Sequence, residues 1–142
     1  MKTVGLDVGS KTIGVAASDP LGLTAQGLTT IHWDEQDIYS ADDQLKQIIE
    51  EHAIGKAVIG LPKHMNGTVG ERGEASEAYA RHVENVHGIP AILWDERLST
   101  AAAERVLLEA DMSRKKRKKV IDKMAAVMIL QSYLDQEKIK GV

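Results

Sequence analysis

Four acids in this 142-residue chain stand where an acid needs a physical reason: Asp7, the adjacent pair Asp95 and Glu96, and Asp122. Asp7 falls inside an alternating apolar stretch, and a short acidic side chain is a poor strand former that is costly to bury without a partner or a metal. Asp95 and Glu96 follow directly on the apolar run 91–94. They therefore occupy the carboxyl end of a strand, the place where α/β sheets meet ligands. Asp122 lies one residue off the apolar stripe of a last helix, in what reads as its first turn, so it borders the buried face. Carboxylates gathered together repel one another unless a hard cation holds them, and Mg²⁺ favours such all-oxygen sites while keeping some of its waters. Attack of metal-activated water on a phosphodiester is the chemistry that such a cluster serves best. Each acid also has an ordinary reading. One of the pair at 95–96 could complement the helix that follows, and Asp122, taken alone, is better explained by the dipole of its own helix.

The elements that must position these acids are legible as periodicities. Residues 3–8 and 13–18 alternate with a period of two on either side of Gly9-Ser10, which predicts a hairpin with a two-residue turn. That register pairs Val8 with Lys11, Asp7 with Thr12 and Gly5 with Gly14. Facing glycines beside an acid imply close approach by a helix or a ligand backbone. Residues 21–31 read as a third strand after Asp19-Pro20. A helix starting near Ser40 buries Leu45, Ile48 and Ile49 and stops at Gly55, and 56–61 is a strand covered on both faces.

Pro62 ends that strand, and 63–73, with Gly67, Gly70 and Gly73, is a loop of functional length. A helix follows with Ala75, Tyr79, His82, Val83 and Val86 on one stripe and Gly88 as its C-terminal cap. His82 reads as a stripe-edge residue, since no second histidine stands at ligand spacing. After the strand 91–94, Ser99 or Thr100 caps a helix whose Ala102, Ala103, Val106 and Leu107 face the core and which ends at 111–113. Ile121, Met124, Ala125, Met128 and Ile129 mark the last helix. Three strands, then helices alternating with strands, give an α/β fold: a mixed sheet opened by a meander, with helices on its faces. Asp7 then lies on a central strand, and the acids are expected to converge.

The length suits a single domain, 1–142, too small for two lobes of ordinary size. Cysteine is absent, which removes disulfides, thiolate metal sites and cysteine nucleophiles and suits a cytoplasmic protein. No apolar run approaches the roughly 18 residues of a membrane span, so no membrane partner is expected. The net charge of −3 conceals an asymmetry: Arg114, Lys115, Lys116, Arg117, Lys118 and Lys119 are six of the 18 basic residues, and the remainder carries 12 bases against 21 acids. A dense basic segment on an acidic body is a natural contact for phosphate backbones, although charge runs are often only solvated loops. If about four of the six engage phosphates, they contribute roughly −3 to −4 to the slope of log affinity against log salt.

Several separated stretches, in order, resemble one family. Residues 5–16 (GLDVGSKTIGVA), 58–62 (VIGLP), 66–68 (NGT), 95–100 (DERLST) and 122–126 (DKMAA) are similar to the YqgF family across nearly the whole chain. The resemblance implies an RNase H-like fold with helices on both sheet faces. It also implies an enzyme, a Mg²⁺- or Mn²⁺-dependent nuclease, since the family is regarded as Holliday-junction resolvases of DNA recombination and repair and as nucleases that process the 5′ end of pre-16S rRNA in ribosome biogenesis. Asp7, Glu96 and Asp122 are implied as its catalytic metal site, with Asp95 a neighbour able to replace or support Glu96. Lys11, the loop from Asn66 to Arg72, and Arg97 are implied along the substrate path, with structured RNA or branched DNA as the partner and a monomer or homodimer as the working unit. Two other classes compete. Gly5-x-Asp7-x-Gly9 also resembles the first hairpin of the actin and sugar-kinase ATPases, which need a second domain, and a non-catalytic nucleic-acid-binding module would keep the fold and the basic segment alone.

Overall fold

The computed structural model describes residues 1–99 and 114–140, with the side chains of 114–122 and 140 outside that description. Among the described residues the sheet has five strands, in the order β3-β2-β1-β4-β5. The strands are β1 (Lys2–Val8), β2 (Thr12–Ser18), β3 (Ala25–His32), β4 (Ile54–Leu61) and β5 (Ala91–Asp95). β1, β2 and β3 form the antiparallel meander, and β4 and β5 add in parallel on the other side of β1. Asp7 is therefore on the central strand, as expected. Helices α1 (Asp42–Glu51) and α2 (Glu71–His87) make the crossovers, and α3 (Arg114–Lys140) closes the chain.

The period of two divides the sheet cleanly. Val4, Leu6, Val8, Ile13, Val15, Ile31 and Ile59 meet Ala41, Leu45, Tyr79, Ala80 and Val83 on the face covered by α1 and α2. Ala16 and Val58 meet Ala125, Ala126, Ile129, Leu130, Tyr133 and Leu134 of α3 on the other. The α3 face is paved with small residues because the helix lies close. A Cβ on Gly5 would stand 2.7 Å from Leu130 Cβ and 3.1 Å from the Ala126 carbonyl oxygen. Lys56, which pairs with Thr3 near the start of β1, donates from Nζ to Tyr133 Oη at 2.7 Å. Successive turns of α3 from Tyr133 back through Ala126 thus run along β1 toward its carboxyl end, and position 122 is one turn further on.

Several expected boundaries move. The hairpin register is wider by two residues: Val8 pairs with Ile13, Asp7 with Gly14 and Gly5 with Ala16. The turn is held open by the chain after β3, where the Trp33 indole donates to Gly9 O at 2.9 Å and the Trp33 amide to Lys11 O at 3.0 Å. A shift of two leaves every side chain on its expected face. β3 starts at Ala25 because Asp19 Oδ1 accepts the amides of Leu23 and Thr24 in a turn that Gly22 completes at φ 72°. A 3₁₀ turn, Ile38–Ala41, precedes α1, with Ser40 inside it. Helix α1 ends at Glu51, Ala53 takes the left-handed conformation at φ 51°, and Gly55 belongs to β4.

Helix α2 begins at Glu71, so Arg72 and Gly73 are helical and the loop is shorter than expected. Gly73 allows that early start, since a Cβ there would lie 2.8 Å from Pro62 O. Gly88 caps α2 at φ 69°, as expected, whereas Val86 is exposed. His82 is buried and its Nε2 lies 2.7 Å from Asp42 Oδ1, tying α2 to α1. The largest correction is to α3, which starts at Arg114: the basic run is its opening and Asp122 falls in its third turn rather than its first. The helix expected after Ser99 or Thr100, with Ala102, Ala103, Val106 and Leu107, lies outside the described residues.

Candidate active site

A cleft of about 230 Å³ opens at the carboxyl ends of β1 and β4, lined by Asp7, Val8, Gly9, Pro62, Arg72, Ser76 and Glu96. Asp7 reaches it from the α3 face of β1, directly opposite Gly14, so no cross-strand side chain crowds the carboxylate. Glu96 reaches it from a 3₁₀ turn, Glu96–Leu98, that follows β5. Its stem folds over Gly60, where a Cβ would stand 3.2 Å from Glu96 Cγ and 3.3 Å from Cδ. Glu96 is 9% exposed. The structure therefore brings together two of the acids singled out in the sequence, from the first strand and from beyond the last.

Asp95 has a different task. Its Oδ1 accepts the Arg97 amide at 2.9 Å and caps the 3₁₀ turn, and the Arg97 guanidinium donates from Nε to both oxygens at 3.1 Å and from Nη2 at 2.7 Å. Lys63 Nζ adds a longer contact at 3.8 Å. The hydrogen bonds from Arg97 hold the Asp95 carboxyl below the usual carboxylate range, and Asp95 in turn raises Arg97. Consecutive residues at a strand end diverge, which is why one acid of the pair enters the cleft and the other secures the turn that delivers it. The backbone of position 122 lies one turn before Ala126, on the part of α3 that approaches the end of β1 bearing Asp7; its side chain is outside the described residues.

Of the residues implied along the substrate path, Arg72 lines the cleft, donating from Nη2 to Val8 O at 3.1 Å and from Nη1 to Glu35 Oε2 at 2.7 Å. Lys11 is exposed on the hairpin turn beside it. Asn66 stands at the loop tip, its Oδ1 accepting from the Thr68 amide and hydroxyl. Arg97 packs under the same loop, 3.6 Å from where a Gly67 Cβ would be. Sequence reasoning missed Ser76, Glu35 and the role of Gly60. Ser76 was detectable as one helical turn beyond Arg72, and Gly60 as a glycine inside a buried strand. Glu35 gave no signal among the acids around it.

Two measurable consequences follow from this geometry. If Glu96 is a catalytic acid, as the family resemblance implies, Gly60→Ala lowers phosphodiester cleavage about 10- to 100-fold, since small displacements of catalytic groups are that costly. Stability should fall by no more than about 1–3 kcal/mol, because the nearest atom, Ile129 Cδ1, is a movable methyl. Rates and denaturant melts on the same preparation separate the two effects. For the basic run, six consecutive helical residues span about 1.7 turns, so roughly three share any one side and the expected slope contribution narrows to about −2 to −3. Salt titrations of nucleic-acid binding with and without glutamine at 114–119 measure it, and an unchanged slope would assign the run to solvent.

The family model described as "RuvX: Holliday junction resolvase" matches residues 1–136. A protein of Oceanobacillus iheyensis named "Putative pre-16S rRNA nuclease" is 75% identical over 137 residues, covering 96% of this chain and 100% of that protein. One of the same name from Listeria monocytogenes is 61% identical over 135 residues, covering 95% and 98%. Among solved structures, T. thermophilus RuvC in complex with Holliday junction substrate superposes with TM-score 0.64 at 9% identity, covering 98% of this chain and 96% of that one. The fowlpox virus Holliday junction resolvase gives 0.54 at 14% identity, covering 96% and 99%. At such identities the structures speak to the fold alone, and the RNase H-like sheet is what they share.

Proposed function

The chain belongs to the RuvX family, also called YqgF, and from that membership we propose that it is a metal-dependent endonuclease that processes the 5′ end of pre-16S rRNA in ribosome biogenesis. The observation that carries this reading is the meeting of Asp7 and Glu96 in one cleft beside the Arg72 guanidinium. Two carboxylates offer only oxygen donors, Gly14 sets no side chain opposite Asp7, and Gly60 makes room for the Glu96 stem, which suits a small hard cation. Asp7 and Glu96, with Asp122 from α3, would hold Mg²⁺ or Mn²⁺, while Asp95 supports Glu96 by fixing its turn. The bound cation supplies charge stabilisation at the scissile phosphate and a more acidic attacking water.

The protein's own groups do the rest. Arg72 is placed to orient a phosphate at the cleft, and its bonds to Val8 O and Glu35 keep the guanidinium from sweeping away. Arg97, Lys11, Asn66 and the basic run at 114–119 guide the backbone toward the acids without reading sequence. We place this activity in the cytoplasm, as a monomer or homodimer; no helix among the described residues is long and apolar enough to cross a membrane. A second reading, junction DNA as the substrate in recombination and repair, is favoured by the description of the family.

Purified protein assayed with Mg²⁺ and with Mn²⁺ against a precursor 16S rRNA fragment and a four-way DNA junction decides between them. Cleavage of the RNA at a defined site, abolished by EDTA, is the expected result. Cutting confined to the junction would move the substrate to DNA, and binding without cutting of either would leave a non-catalytic module of the same fold.

A further inference from the structure

The loop between β4 and α2 carries an apolar side chain at its tip with nothing to pack against. Met65 is 98% exposed, more than any other large apolar side chain among the described residues, and it is flanked by Lys63, His64 and Asn66. The tip is nonetheless built to hold a shape. The His64 amide donates to Thr68 O at 2.9 Å, the Gly67 amide to His64 O at 2.9 Å, and Asn66 Oδ1 accepts from the Thr68 amide and hydroxyl. Gly67 turns the chain at φ 88°, a conformation that L side chains rarely adopt. Both feet of the loop stand on the cleft, since Pro62 and Arg72 line it with Asp7 and Glu96, and Gly67 rests on Arg97.

We infer that Met65 is a wedge that enters between two stacked bases next to the phosphodiester being cut and unstacks them. The inference rests on the nuclease reading of the cleft. A cationic or polar tip would suffice for phosphate contacts; a lone thioether among polar neighbours is suited to a flat apolar partner instead. One methionine is too little apolar surface to hold a protein partner, whereas unbranched and polarizable Met is among the side chains that insert at base steps. The unstacking opens the backbone locally and lets the phosphate descend to the acids. Met65 is thereby a specificity residue: it favours sites where a base step is already weak, as at the boundary between duplex and single strand.

The test uses 2-aminopurine, whose fluorescence rises on unstacking, placed at each base flanking the cut in the precursor rRNA fragment, and beside the branch in a four-way DNA junction. Wild-type protein in EDTA, where no cleavage intervenes, should raise the signal at one step. Met65→Ala should lose that rise and lower kcat about tenfold with little change in KM, Met65→Leu should restore both, and thermal melts of all three should coincide. A rise on the junction alone keeps the wedge and overturns the rRNA substrate. A rise with no cleavage in metal keeps the wedge and overturns the nuclease reading. A wild type that leaves every probe stacked, or a Met65→Ala variant that unstacks and cuts like wild type, overturns the wedge.

Discussion

Asp7→Asn protein is expected to cut at least about a thousandfold more slowly than wild type, a loss of about 4 kcal/mol in transition-state stabilisation, and yet to be no less stable in EDTA. The substitution keeps the shape of the side chain and removes one charge from a cleft that it shares with Glu96. In the metal-free protein, like charges in one site oppose folding, so neutralising one of them relieves the repulsion. The opposite case is equally definite. If Asp7 served to hold the hairpin through a hydrogen bond or ion pair, its loss would cost on the order of 1 to 3 kcal/mol. Denaturant melts in EDTA, paired with cleavage assays in Mn²⁺, distinguish the two: a markedly destabilised variant that still cuts would make Asp7 structural and remove the centre of the proposed site.

The second large effect is expected in stability. In Gly5→Val the first added carbon would stand 2.7 Å from Leu130 Cβ and 3.1 Å from the Ala126 carbonyl oxygen, neither of which can rotate away. Relief requires α3 to lift off the sheet, and the expected cost is about 3 kcal/mol or more, seen as a fall in melting temperature of roughly 6–12 °C. Gly27→Val is the matched contrast. Its first added carbon would also approach to 2.7 Å, but the neighbour is the Lys123 stem, a flexible chain that can swing aside. Near-equal melts for the two variants would show that α3 yields as easily as a lysine side chain, contrary to the packing described.

Hydrophobic pattern made most of the fold legible in advance, because burial on two faces of a sheet writes a period of two, and burial of one helix face a period near four. The strand faces at Val4, Leu6 and Val8 against Thr3, Gly5 and Asp7 needed nothing more. Loop geometry did not follow. The hairpin register depends on Trp33 and Glu35 bracing residues 9–11 from a distant segment, and no local signal at Gly9-Ser10 reports that. The start of α2 depends on Gly73 fitting beside Pro62 O, where a glycine in sequence reads as a break.

At the site, the pair at 95–96 was visible as a pair, but which acid enters the cleft rests on Gly60, a contact across the fold, and on the turn that Arg97 closes with Asp95. The basic run reads as a connection in sequence because charge runs are often only solvated loops. Arg and Lys are nonetheless good helix formers, and the run continues a helix held by its later residues. This changes the reading of Asp122. A residue in the third turn lies beyond the reach of the helix dipole, so the ordinary explanation that its position first invited loses its basis.

Helix α3 is continuous for 27 residues, about 40 Å of rod, with six consecutive cations at its start and its sheet-packing residues beyond them. Such a rod transmits force. If a phosphate backbone engages the six cations, its pull applies a torque about the contact with Gly5, and the clearance between position 122 and the end of β1 changes with it. Substrate grip and the gap proposed to accept a cation would then be two loads on one beam, pivoting where Gly5, Gly27 and Gly60 leave it room to seat.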